Sequence, residues 1–258
     1  NEVAKMSRMA HAAGKQIICY KLGKSELGKE LAKSHTGAIA GNDDAFNAFI
    51  NYHGIARVEI FETLIEIPNL FKNKKRSESK RVGIVTTTGG GGAMVVESLS
   101  GSDIEIIDPG VSIKKIMQDN NIAFNNNKLV DLTIAGTKPE IVNEVISQMM
   151  KNKNCDLVVM VVGSSAKFRP EQAVEPLLKW ANYPKPLAVY VAPDAPEALN
   201  LLHQNNIACF RTPESCAESV KTFLNTKSPV KPTILKNNLS DISKKLKKNI
   251  LKNLSEEE

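Results

Sequence analysis

Long apolar runs are missing from this chain. Hydrophobic residues make up 42% of its 258 positions, an ordinary share for a folded soluble protein. No run approaches the roughly 20 residues that a membrane helix needs, so no membrane partner is expected. No signal-like apolar core follows the opening Asn1-Glu2, and there is no initiator Met there; the expectation is a piece of a longer, cytoplasmic protein. Aromatic residues are scarce at 5%, and Trp180 is the single tryptophan, so no stacking platform for bases is evident. Strong charge of one sign is also missing from the body. The net charge is +6, but from Lys227 to Glu258 eight lysines face four acids, so the tail holds +4 and the rest only +2. Such a body would not track nucleic acid, and the basic tail reads as a solvated linker. The four cysteines, at 19, 155, 209 and 216, form no CxxC pair and no zinc spacing. Cys19 and Cys155 adjoin apolar strand-like runs, which predicts buried free thiols in a reducing compartment. His11, His53 and His203 have no metal-ligand spacing, and no metal site is expected.

What is present is a regular alternation of strand and helix. From Val82 onward, apolar strand-like runs (82–87, 104–107, 129–132, 156–163, 187–192, 208–211) are separated by helical patterns starting near 93, 111, 139, 170, 196 and 213. That rhythm predicts a doubly wound parallel α/β sheet. The run 156–163 is apolar throughout, as in a strand covered on both faces. Before it, residues 1–75 read as helix 2–13, strand 16–21, helix 26–33, helix 43–52, strand 56–59 and helix 60–71. Two strands are too few to close a sheet, so this part resembles the back half of a second α/β domain. The charged run Lys72 to Arg81 has no apolar periodicity and reads as a solvated connector. The expected division is 1–75, 76–226 and a linker 227–258. Asp119 to Lys128, rich in Asn, reads as a surface loop.

Two stretches could carry chemistry. In Ser34-His35-Thr36-Gly37-Ala38-Ile39-Ala40-Gly41, an imidazole lies between two hydroxyls and is followed by glycine. Neutral imidazole has a lone pair to attack phosphorus and a pKa near physiological pH. Ser34 and Thr36 can hydrogen-bond phosphate oxygens, and Gly37 lets the backbone come close. The same residues also suit a helix cap, with Ser34 or Thr36 ahead of Ala38 to Ala40. The second stretch is Thr86-Thr87-Thr88-Gly89-Gly90-Gly91-Gly92-Ala93-Met94, between a strand and a helix. Glycines there remove side chains where a helix presents unpaired N–H groups, which makes Thr88 and Gly89 to Gly92 an anion-site candidate. The alternative is a turn that packs the helix tightly on the sheet. Neither stretch completes a dinucleotide fingerprint, and Gly23-Lys24-Ser25 lacks the upstream glycine of a Walker loop, where Ile18 stands. Asp131, at a strand end, either faces the cleft or caps its loop.

Together these residues resemble the NDP-forming acyl-CoA synthetases, the ADP-forming acetate–CoA ligase branch of the succinyl-CoA ligase superfamily. The resemblance is carried by Lys21-Leu22-Gly23-Lys24-Ser25-Glu26, by the Ser34 to Gly41 stretch, by Thr87 to Met94 and by Val130-Asp131-Leu132-Thr133. It implies flavodoxin-like domains and a reaction in which acyl-CoA, ADP and phosphate give a carboxylic acid, ATP and CoA through a phosphohistidine. His35 would be the phosphoryl carrier, with Ser34, Thr36, Gly37, Thr88 and Gly89 to Gly92 around the phosphate. CoA, ATP or ADP and magnesium would belong to the complete enzyme and its CoA-binding and ATP-grasp domains, toward which 227–258 would lead. The piece alone would then have no ligase turnover. Lys128-Leu129 stands where relatives carry Asn-Pro, which puts a catalytic role for Asp131 in question. A second reading is a non-catalytic CoA- or nucleotide-sensing module of a protein acyltransferase. A third is a flavodoxin-like electron carrier, although the aromatic-flanked loops that would suit it are missing.

Overall fold

The structure, a computed structural model, describes residues 2–36, 41–72, 74, 76–124 and 128–229, without the side chains of His35, Thr36 and Ile134. The chain opens with α1 (Glu2–Ala12), stopped at Gly14 in the left-handed region at φ 68°. Two short parallel strands follow, β1 (Ile18–Tyr20) and β2 (Ala56–Val58), paired with Cys19 opposite Arg57. Between them lie α2 (Glu26–Thr36) and α3 (Asp43–Tyr52). Next come α4 (Phe61–Glu66) and α5 (Pro68–Phe71). The sequence predicts one helix here. Pro68 breaks it, because it has no N–H to bond back to the preceding turn.

The main sheet holds β3 (Arg81–Thr86), β4 (Glu105–Ile106), β5 (Leu129–Asp131), β6 (Leu157–Val162), β7 (Leu187–Val191) and β8 (Ala208–Phe210). All its pairs are parallel, in the order β4-β3-β6-β7-β8. β5 pairs with β3 further along, Ile84 opposite Leu129 to Thr86 opposite Asp131. β4 and β5 thus share one edge of β3, and the order is that of a flavodoxin-like doubly wound sheet. Its helices are α6 (Gly89–Leu99), α7 (Val111–Asp119), α8 (Pro139–Lys151), α9 (Ser165–Phe168), α10 (Pro170–Leu178), α11 (Pro196–Gln204) and α12 (Pro213–Asn225). A 3₁₀ turn spans Thr133–Thr137.

Side chains alternate between the two faces of the sheet. Val158, Met160 and Val162 meet Val145, Ile146 and Met149 of α8 in one apolar cluster. Leu157, Val159 and Val161 belong to the other, with Val95 of α6 and Val220 and Phe223 of α12. Val58, Ile67 and Leu70 are wholly buried in this second cluster. The apolar core therefore passes across the charged run 72–81. That run is also no solvated connector throughout. Lys74 Nζ donates to the carbonyls of Ala181 and Tyr183, the latter at 2.9 Å. Arg76 Nη1 donates to Thr226 O at 3.0 Å, and its Nη2 to Gln16 Oε1. Burial holds both cations below their usual pKa. Glu218 of α12 accepts from the backbone N–H groups of Glu59 (2.5 Å) and Ile60 (3.1 Å), just ahead of α4. The Asn-rich residues 125–127 and the tail 230–258 lie outside the described residues.

Candidate active site

In a doubly wound sheet, ligands collect outside the C-terminal ends of the strands where the strand order reverses. Here that point lies between β3 and β6. Thr86 ends β3 there, Thr87 and Thr88 lead on to α6, and their hydrogen bonds fix the turn. The Thr86 hydroxyl donates to Thr88 O (2.7 Å) and accepts from Thr88 N (3.0 Å). Thr87 N donates to Val161 O at 2.9 Å, and Thr87 Oγ1 accepts from Gly163 N at 2.8 Å. Thr88 is the extended N-cap of α6, and its side chain makes no capping bond. The first-turn amides of α6 thus have no side-chain acceptor from their own cap.

The helix begins at Gly89, whereas the sequence predicts a loop through Gly92 and a helix from Ala93. The four glycines therefore lie on different sides of a first turn and have different reasons to be glycine. A Cβ on Gly92 would come within 2.9 Å of Thr86 Cγ2, and one on Gly91 within 3.0 Å of Val161 Cγ1. Both residues are buried, and they seat α6 on the sheet. A Cβ on Gly89 would lie 2.6 Å from Asp131 Oδ2, whereas around Gly90 there is open space. The packing reading thus accounts for Gly91 and Gly92, Gly89 faces the Asp131 carboxylate, and the open position of the turn is Gly90. Asp131 has both of the roles weighed for it. Its Oδ1 accepts from Thr133 N at 2.9 Å, and its other oxygen stands against Gly89. A carboxylate there suits the positive end of α6. An incoming anion must share that end with it.

Two residues of this corner are not among the sequence candidates. Gly136, in the 3₁₀ turn, approaches Thr87 so closely that a Cβ would meet Thr87 Cγ2 at 2.3 Å. Gly163 approaches Thr88, with Thr88 Cβ 3.0 Å from the position of its missing Cβ. The readable signal was a glycine immediately after the apolar run 157–162. Gly136 also lines a cavity of about 310 Å³ with Thr137, Ser165, Phe168, Arg169 and Gln172.

On the other unit, the sequence predicts Ser34-His35-Thr36 as loop or as the cap of a following helix. Instead the backbone of all three completes α2. Ser34 is exposed, and its hydroxyl donates to Leu31 O at 2.9 Å, which lets the helical turn continue. The side chains of His35 and Thr36 and residues Gly37 to Ala40 lie outside the described residues. The described residues of the corner are Thr88, Gly89, Gly90 and Asp131. Beyond Gly41, Asn42 caps α3, its Oδ1 accepting from Ala45 N at 2.9 Å.

The thiols do not suit nucleophilic chemistry. Burial raises the pKa of all four, that of Cys209 to about 11, and a nucleophile needs the thiolate. Cys155 and Cys216 are buried, and Cys19 is half-buried. His53 is a buried C-cap of α3, with its ring against Phe49 and Tyr52. Among the described residues no group of three His, Cys, Asp or Glu side chains could hold a metal ion, and no helix is long and apolar enough to cross a membrane.

Residues 1–71 match the model of the succinyl-CoA ligase like flavodoxin domain. An ADP-forming acetate–CoA ligase of Methanocaldococcus jannaschii is 39% identical over 84 residues, 33% of this chain and 12% of that protein. Subunit alpha of the ADP-forming acetate–CoA ligase I of Pyrococcus furiosus is 26% identical over 216 residues, 81% of this chain and 46% of that subunit. The chain is thus similar to the ADP-forming acid–CoA ligases. The dinucleotide forming acetyl-coenzyme A synthetase 1 of Ca. Korarchaeum cryptofilum, solved with phosphate and ADP, superposes with a TM-score of 0.70 at 22% identity. That match covers 86% of this chain and 50% of the solved one, and it establishes the shared α/β fold. The chain spans half or less of the length of each of these relatives.

Proposed function

We propose that this chain is the phosphoryl-carrying part of an ADP-forming acid–CoA ligase. The supporting observation is the glycine turn at the start of α6, open at Gly90, set at the switch point of a sheet whose neighbouring residues 1–71 match the succinyl-CoA ligase like flavodoxin domain. In this reading phosphate displaces CoA from acyl-CoA, giving acyl phosphate and free thiol. The imidazole of His35 attacks phosphorus and the carboxylate leaves. ADP then takes the phosphoryl group from nitrogen, giving ATP and free His35. Phosphoryl transfer depends on position and on charge stabilisation rather than on covalent chemistry from the protein. Uncapped amides at the start of α6 supply fixed donors for equatorial oxygens without reorganisation. Ser34, Thr36 and Gly37 would border the carrier, and Thr88 with Gly89 to Gly92 would form the opposing turn.

In this proposal residues 1–75 and 76–226 are the two flavodoxin-like units, and 227–258 leads toward an ATP-grasp domain. CoA, nucleotide and magnesium bind on further domains, so none of these steps places them on the present residues. The test uses the complete enzyme with γ-labelled ATP and magnesium. An acid-labile, base-stable label is expected on the wild type and none on His35→Ala. Equal labelling of the two would end the proposal.

A further inference from the structure

A cavity of about 370 Å³ opens at the other end of the main sheet, roughly 20 Å along the strands from the glycine turn. Its wall comes from the segments that lead into β3, β6 and β7 and from the C-terminal end of α8. The reaction above makes no use of it. Four cations line it, Arg76, Lys151, Lys153 and Lys185, against one carboxylate, Asp156. That carboxylate is already taken. Arg81, at the start of β3, donates to it from its backbone N at 2.9 Å, from Nε at 3.0 Å and from Nη2 at 3.1 Å. Met150 and Tyr183 add apolar wall.

The half-buried cations here have neutral partners. Arg76 donates to Thr226 O and Gln16 Oε1. Lys185 Nζ donates to Asn152 O at 2.5 Å and to Met149 O at 3.3 Å. Lys74, bonded to Tyr183 O at the cavity wall, also meets carbonyls. Among the described residues none of these three cations pairs with a carboxylate. The carbonyl end of a helix such as α8 offsets about half a charge, whereas a cation withdrawn from water needs a full partner. Burial lowers the pKa of Arg76 and of Lys185, so it outweighs the negative charge near them. Both also keep donors to offer. Arginine has five N–H groups and lysine three, and two of each side chain's are used here.

We propose that this cavity binds a small organic phosphate, its dianion held by Arg76 and Lys185 and its body against Met150 and Tyr183. A monocarboxylate would leave most of the charge of the four cations unmatched. The volume falls within the roughly 300–1,000 Å³ of small-molecule pockets, so the ligand carries more than the bare anion. The site lies at the ends of the strands opposite the glycine turn, and nothing in it depends on His35.

The probe is phenyl phosphate, titrated into the complete enzyme by calorimetry. Saturable binding to this site is expected below about 10 mM, and its absence overturns the proposal. Lys185→Met and Arg76→Gln should each weaken binding roughly tenfold or more, because each removes a charged donor. Both residues also hold carbonyls, so the double variant Lys151→Met with Lys153→Met stands beside them. Those two side-chain nitrogens make no hydrogen bond or ion pair among the described residues, and their loss should weaken binding about threefold or more. Wild-type affinity in Lys185→Met overturns the proposal; if that variant does not fold, wild-type affinity in the double variant overturns it equally. Inorganic phosphate should bind at least about tenfold more weakly than the probe, because it leaves Met150 and Tyr183 uncovered. Equal affinity would overturn the organic ligand. Gly90→Ala should bind the probe as wild type does. Binding lost in Gly90→Ala but kept in Lys185→Met would put the ligand at the glycine turn and overturn the proposal.

Discussion

Gly90 is the one glycine of the four with nothing near the position of its missing Cβ. Alanine there meets no neighbour, and alanine in a helix is favoured over glycine by up to about 1 kcal/mol. Packing and function thus pull in opposite directions at this residue. If the turn receives an anion, the new methyl stands where the backbone must come close. Gly90→Ala should therefore leave urea-unfolding stability unchanged or raised, while turnover of the complete enzyme falls about tenfold or more. Unchanged turnover would remove Gly90 from the anion site. Gly92→Ala should do the reverse and lower stability, because its Cβ would press on Thr86. The run of four glycines was plain in the sequence, but the division of labour was not. Each step along a helix turns the chain by about 100°, so a start at Gly89 instead of Ala93 decides which glycines face the sheet. Asp131 shows the same limit. Its place at a strand end was legible, but the approach of its second oxygen to Gly89 depends on β5 pairing beside β3.

At the scale of elements, apolar periodicity and prolines marked most of the fold. Pro139–Lys151 and Pro196–Gln204 fall where the sequence places them, because proline at the first turn has no N–H to lose. Short pieces escaped: α9 and the 3₁₀ turn have too few residues to show a period. Contacts between distant elements were also hidden, and one of them titrates. Glu66, at the end of α4, is buried against α12, where Ser215 Oγ donates to its Oε2 at 2.6 Å and Arg211 lies 3.5 Å from Oε1. Burial raises its pKa above the ordinary 4.5, and the pull of Ser215 and Arg211 does not cancel that. The folded state thus holds this proton more tightly than the unfolded chain does. The stability linked to it is complete below the unfolded pKa and is lost as pH rises through the folded one. Glu66→Gln removes the titration. The stability of wild type relative to this variant, from urea unfolding, should decline as pH rises from about 4 to about 7. A flat difference across that range would mean that Glu66 titrates normally in the fold.

For the molecule as a whole, the sequence divides the chain at a charged run, yet the apolar core continues past it. Charge marks where a segment is polar; it does not report whether the helices on either side bury their faces together. Leu70 of α5 and Ile67 beside it are wholly buried in one cluster with Val82, Ile84, Phe210 and Phe223 of the main sheet and α12. Phe71 packs against Phe223 with ring centroids 5.1 Å apart and the rings tilted by 50°. Lys74 and Arg76 strap the connecting run to carbonyls on the second unit and to Gln16 of the first. Two units joined only by a solvated tether would unfold independently. Units that share a core lose their stability together. Leu70→Ala removes a fully buried side chain at the junction and should cost roughly 2–5 kcal/mol. Trp180 fluorescence reports the far face of the main sheet, and amide exchange in β1 and β2 reports the first unit. Both signals should move to lower urea by the same amount in Leu70→Ala. A shift confined to the β1–β2 amides, with the Trp180 transition unmoved, would mean that the interface adds nothing to the stability of the second unit.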